Sequence, residues 1–97
     1  DPFNPAVLRL IKMTIDNAAK ANIEVGLCGE MAADPASAIL LVGLGLRELS
    51  VSAVSIPAVK SVLLSTTMEE AQSVAQAVMK MTSSTQVRAY IANRFQL

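Results

Sequence analysis

The chain has 97 residues, of which 53% are hydrophobic and 16% charged, with eight basic and eight acidic side chains and no net charge. That length suits one small domain, the composition is too apolar for disorder, and the absence of a basic face argues against nucleic-acid binding. Histidine is absent and cysteine occurs once, which excludes a Ser-His-Asp triad, a histidine-ligated metal, a phosphohistidine and an internal disulfide among these residues.

The apolar surplus is larger than a small domain needs and points to faces buried against something outside the chain. One cysteine fits a reducing, cytoplasmic setting. No run reaches the roughly 18–20 apolar residues of a membrane span; the longest, Ala36 to Leu46, is interrupted by Ser37, Gly43 and Gly45. The chain opens on Asp1-Pro2 rather than Met and carries no signal-peptide pattern, so it reads as a piece of a longer protein.

Asn4-Pro5 reads as the cap and first position of a helix. Leu8, Ile11, Ile15 and Ala18 share one face of it, while Lys12–Asp16 and Asp16–Lys20 are i,i+4 pairs on a solvated face. Asn22 is a left-handed stop. Ile23 to Cys28 is then a strand too apolar to be half-exposed, as in a parallel sheet covered on both faces. Gly26 within it reads as a packing glycine. The strand runs out at Cys28-Gly29-Glu30, and chemistry in parallel α/β folds gathers at such carboxyl ends. Asp34-Pro35 caps a second helix to about Leu44, apolar all round and so buried on more than one side.

Gly43 and Gly45 end that helix. Glu48 to Ser52 follows as a second strand, alternating apolar with hydroxyl at Ser50 and Ser52. Strand, helix, strand at this spacing is a parallel unit with a right-handed crossover. Ser55-Ile56-Pro57 opens a third helix through Leu64. Thr67 answered by Glu70 makes a capping box for a fourth helix to about Met81. A last helix runs from Ser84 to Leu97, and the five methionines read as gap-fillers in the core. The order is α-β-α-β-α-α-α. Two strands cannot close a sheet and leave open edges, so the pattern predicts a larger sheet than these residues contain.

Taken together, Asn4-Pro5-Ala6-Val7-Leu8, Gly26-Leu27-Cys28-Gly29-Glu30-Met31-Ala32, Gly43-Leu44-Gly45-Leu46, Glu48-Leu49-Ser50-Val51-Ser52 and Ser55-Ile56-Pro57 resemble the end of the phosphoenolpyruvate-binding barrel. The closest resemblance is to Enzyme I of the bacterial sugar phosphotransferase system. It covers Asn4 to about Leu64 closely and the remaining helices loosely. It departs from the family at Ala33, where glycine is common.

The resemblance implies that residues 1–97 are the C-terminal portion of an α/β (β/α)8 TIM barrel, a fold of about 250 residues. The segment would hold the last two βα units plus extra C-terminal helices. It further implies an enzyme in which magnesium-bound phosphoenolpyruvate phosphorylates a histidine on a separate domain, with Cys28 as the acid that protonates the resulting enolpyruvate. A thiol, with an ordinary pKa of about 8.5, can hold and release that proton. Gly29 is implied as substrate-binding backbone, and Glu30 as a residue that orients loops or pairs with an arginine.

The magnesium ligands would lie outside these residues, with none among them. The implied partners are phosphoenolpyruvate and pyruvate, the phosphocarrier protein HPr through another domain, and a second copy in a homodimer; nucleic acid and membrane are not among them. A nitrogen-branch paralogue, pyruvate phosphate dikinase and phosphoenolpyruvate synthase are the enzyme alternatives. A small interaction module with a structural cysteine is the alternative from another class.

Overall fold

The computed structural model describes residues 1–95. Helix α1 spans Pro5–Lys20, and its cap forms as its sequence requires: Asn4 Oδ1 accepts from the Ala6 N–H at 2.9 Å. Leu8 and Ile15 are buried along one stripe, whereas Val7, Leu10 and Met13 lie exposed on another. Of the two expected ion pairs, Lys12–Asp16 closes at 3.0 Å; Asp16–Lys20 does not form.

Strand β1 is Gly26–Cys28, helix α2 is Glu30–Ala33, helix α3 is Pro35–Leu44 and strand β2 is Glu48–Ser50. The two strands pair in parallel, Gly26 with Glu48, Leu27 with Leu49 and Cys28 with Ser50. The β-α-β unit expected from the sequence is therefore present. The extent and burial of its first strand are not as expected. Ile23 is 64% exposed, and its N–H donates to the Ala18 carbonyl at 2.9 Å, which ties it to the end of α1 rather than to a ladder. Only one face of the pair is covered: Leu27 and Leu49 pack on the core while Gly26, Cys28, Glu48 and Ser50 are exposed. Ser50 and Ser52 lie exposed, Ser50 on the open face of the pair.

A 3₁₀ turn, Ala53–Ser55, leads into α4 (Ile56–Leu64), followed by α5 (Met68–Val78) and α6 (Ser84–Phe95). The capping box of α5 is complete, with Thr67 Oγ1 accepting from the Glu70 N–H at 3.1 Å and Glu70 Oε1 accepting from the Thr67 N–H at 3.3 Å. The helix stops at Val78, short of the expected Met81. There the Arg9 side chain donates to the Met79 and Met81 carbonyls at 3.2 and 2.9 Å, satisfying acceptors that a further turn would have used. The expected end of the last helix, Gln96-Leu97, lies outside the described residues.

The core is built around α3. Ser37, Ala38, Ile39, Leu40, Leu41 and Leu44 are all buried there, and Leu40 and Leu41 join Leu8, Leu46, Val74, Val78, Val87 and Ile91 in one cluster. Each such side chain contributes roughly 1.5–3 kcal/mol through burial. Met31, Met79 and Met81 pack on this cluster. Met13 and Met68, expected as core filler, are instead 57% and 42% exposed, Met68 keeping its sulfur 3.9 Å from the Arg47 guanidinium. No helix among the described residues is long and apolar enough to cross a membrane.

The two glycines expected to end α3 divide their roles. Gly45 supplies the left-handed cap at φ 115°, its N–H donating to the Leu41 and Val42 carbonyls. Gly43 sits inside the last turn, where a Cβ would collide with the Ala71 carbonyl of α5. Its lack of a side chain sets how closely α3 and α5 approach. Gly43→Ala is expected to lower stability by about 1–3 kcal/mol through overpacking against a rigid backbone, read as a fall in the urea midpoint at unchanged m-value.

Candidate active-site rim at the ends of the strands

Cys28 is the last residue of β1, and its thiol is exposed. Gly29 follows at φ 102°, ψ −166°, a conformation essentially restricted to glycine. A Cβ built there would meet nothing within 4 Å. The constraint on Gly29 is thus conformational, and the space beside its backbone is open. Glu30 begins the single turn of α2, with its side chain exposed and its carbonyl accepting from the Asp34 N–H at 3.1 Å. No arginine pairs with Glu30 among the described residues.

Asp34 fixes the far end of this loop. Its Oδ1 accepts from the Ala36 N–H at 3.3 Å and its Oδ2 from the buried Ser37 hydroxyl at 3.2 Å, so its carboxylate is committed to capping α3. At the end of β2, Ser50 lies beside Cys28 in register, and Ser52 and Ser55 bring their hydroxyls within 3.4 Å of each other. The parallel register therefore sets Ser50 of the second strand beside Cys28. The serines were not singled out as site residues, because a hydroxyl in an alternating strand carries no signal until the register is known. Two apolar clefts, of about 410 and 470 Å³, flank the sheet elsewhere. Neither is lined by Cys28 or Gly29.

Residues 1–68 match the family described as PEP-utilising enzyme, PEP-binding domain. The chain belongs to this family. Among individual relatives, the phosphoenolpyruvate-protein phosphotransferase of Mycoplasma genitalium is 43% identical over 94 residues, 97% of this chain and 16% of that protein. The corresponding protein of Bacillus subtilis is 39% identical, again over 97% of this chain and 16% of its own length. A multiphosphoryl transfer protein of Xanthomonas campestris is 45% identical over 97% of this chain and 11% of its own length. The chain thus spans about a sixth or less of the relatives it matches.

The magnesium implied by the family resemblance finds no fitting donor set here. Among the described residues no group of three or more Cys, Asp or Glu side chains could hold a metal ion, and the Asp34 carboxylate near the rim is already occupied as a cap. No step is assigned to a metal through these residues.

Gly29→Ala is expected to cost about 1–3 kcal/mol through backbone strain alone. Because the space beside Gly29 is open, a smaller neighbouring side chain cannot relieve that loss. Denaturant melts of Gly29→Ala with and without a truncated Glu30 side chain would check this, with equal losses expected.

Proposed function

We propose that the chain forms the closing part of a phosphoenolpyruvate-binding (β/α)8 barrel in a phosphoenolpyruvate-dependent protein phosphotransferase. β1 and β2 would be its last two strands. The observation that carries this reading is the exposed thiol of Cys28 at the carboxyl end of a parallel strand, followed by a glycine whose backbone is open to a ligand. Support also comes from the similarity to phosphotransferases along nearly the whole chain. The apolar groove against β2, bounded by Val42, Leu46, Leu49, Val51, Ile56 and Leu63, suits a sheet that continues beyond these two strands.

In this reading the phosphoryl group of phosphoenolpyruvate passes to a histidine of another domain and leaves enolpyruvate at the rim. The Cys28 S–H bond then breaks. Its proton forms the third C–H bond of the methyl group as the enolate oxygen left by phosphoryl transfer becomes the ketone of pyruvate, and Cys28 is left as thiolate. The open Gly29 backbone lies against the substrate while Asp34, through α3, holds the loop in place. Magnesium and phosphate ligands come from residues outside this chain. HPr as phosphoryl acceptor, a homodimeric assembly and a cytoplasmic location belong to the same reading.

Cys28→Ala in the full-length protein is expected to slow pyruvate formation by roughly 10²–10⁴-fold, the usual contribution of a positioned general acid. Transfer of labelled phosphoryl from phosphoenolpyruvate to protein should be slowed far less. Rapid-quench measurement of both products checks this, and equal losses in the two steps would overturn the acid role.

A further inference from the structure

The last helix holds the segment that precedes the first. On α6, Val87 and Ile91 are buried in the core cluster, and Phe3, from the segment before α1, joins them there at 4% exposure. Arg88 stands beside this contact. Its guanidinium carbon lies 4.5 Å from the centroid of the Phe3 ring, and its Nη2 donates to Asp1 Oδ1 at 2.7 Å. The same Asp1 oxygen accepts from the Phe3 N–H at 3.0 Å, while the Asp1 carbonyl accepts from the Asn4 N–H at 3.0 Å. Residues 1–4 thus form a turn that Arg88, 87 positions further along, holds at two of its residues. The turn lies at the level of the rim. Helix α1 leads directly into β1 and runs against it, so α1 starts where β1 ends. Phe3 and Arg88 also share a cleft of about 440 Å³ with Asp34, Pro35 and Ala36 at the start of α3, next to the loop that carries Cys28 and Gly29.

We infer that Arg88 is a positioning residue for phosphoenolpyruvate: it clamps the turn at residues 1–4 onto α6 and so holds in place the loop that leads into α1. The inference rests on the barrel reading above. In that barrel the chain before Asp1 is the loop that follows the preceding strand, and such loops supply the groups that bind substrate. Two features separate this role from plain stability. Burial of Phe3, Val87 and Ile91 already secures α6 to the core, whereas a partly exposed ion pair and a cation–π contact add little to global stability. What they add is direction. A planar guanidinium stacked on one ring and bonded to one carboxylate selects a single arrangement of the turn. Arg88 acts through that loop and touches no reacting atom.

The test uses the full-length protein with excess HPr as phosphoryl acceptor. It measures pyruvate formation against phosphoenolpyruvate concentration, beside the urea midpoint of each variant. Arg88→Ala is expected to raise the KM for phosphoenolpyruvate about three- to tenfold and leave kcat within about twofold, the size of effect that one charge pair and one cation–π contact exert. A looser loop weakens binding of substrate and transition state alike, hence the split. Asp1→Asn should raise KM in the same direction. The double variant should be no worse than Arg88→Ala alone, since both changes remove one interaction. Arg88→Lys keeps a cation near Phe3 and Asp1 and should recover part of the loss in KM. An unchanged KM in Arg88→Ala would overturn the inference. So would a fall in kcat at constant KM with a lower urea midpoint, the signature of a smaller folded fraction and of a merely structural Arg88. The unaltered protein tells the two ideas apart. If it forms no pyruvate from phosphoenolpyruvate, the underlying reading fails and the inference with it; if it does and the variants match it, only the clamp fails.

Discussion

A helix with no polar face must be covered on every side, and α3 imposes that demand on the rest of the chain. α1 covers one flank with Leu8 and Ile15, α5 another with Val74, Ala75 and Val78, and α6 closes over it with Val87 and Ile91. The tightest of these contacts is made without a side chain, where Gly43 lets the α3 backbone lie against Ala71 of α5. Both ends of the helix are also fixed by named groups. Asp34 binds the first turn through Ala36 and Ser37, and at the other end Gly45 and the Arg47 guanidinium take up carbonyls of the last turn. A rod pinned at both ends and packed on its flanks sets where the preceding strand must end and the following one begin.

That geometry places the rim. Between Cys28 and the Asp34 cap the chain has room only for the turn at Gly29 and the single turn of α2. Asp34 therefore acts at the rim through α3 and not through its own carboxylate, which is spent on two hydrogen bonds. A short loop held at both ends is the arrangement that keeps a reactive side chain in a fixed place while leaving its tip in the open.

The local signals in the sequence proved the most legible. Asn4, Asp34, and Thr67 with Glu70 form the caps their residue types announce, because a cap depends on a few neighbouring atoms. The uniform apolarity of Ala36 to Leu44 announced a helix buried all round for the same reason. Where the outcome depended on distant partners, composition misled. Ile23 to Cys28 is apolar enough for a covered strand, yet Ile23 belongs to the turn after α1, and one face of β1 meets no neighbour among the described residues. Just past the end of α5, carbonyls are taken up by Arg9, some 70 residues away, and the closeness of α3 and α5 rests on a glycine that looked like a simple stop. At the rim, Cys28 and Gly29 stand at the strand end where their motif put them. That Ser50 and Glu48 stand beside Cys28 and Gly26 was not legible, since it follows from the parallel register alone.

The chemistry of the open face bears on what covers it. In a doubly wound sheet the second face lies under helices and presents apolar side chains to them. Here the exposed positions of the pair are Gly26, Cys28, Glu48 and Ser50. A helix laid on them would bury a carboxylate and a hydroxyl without offering partners, at a cost of several kcal/mol for the charge alone. The interior of a barrel is a better match near its carboxyl end, where water and a polar ligand can reach those groups. The groove against β2, by contrast, is apolar, as an edge meant for another strand and its helix should be. Polar face and apolar groove together support the proposed reading, in which the strands close into a cylinder rather than stack into layers.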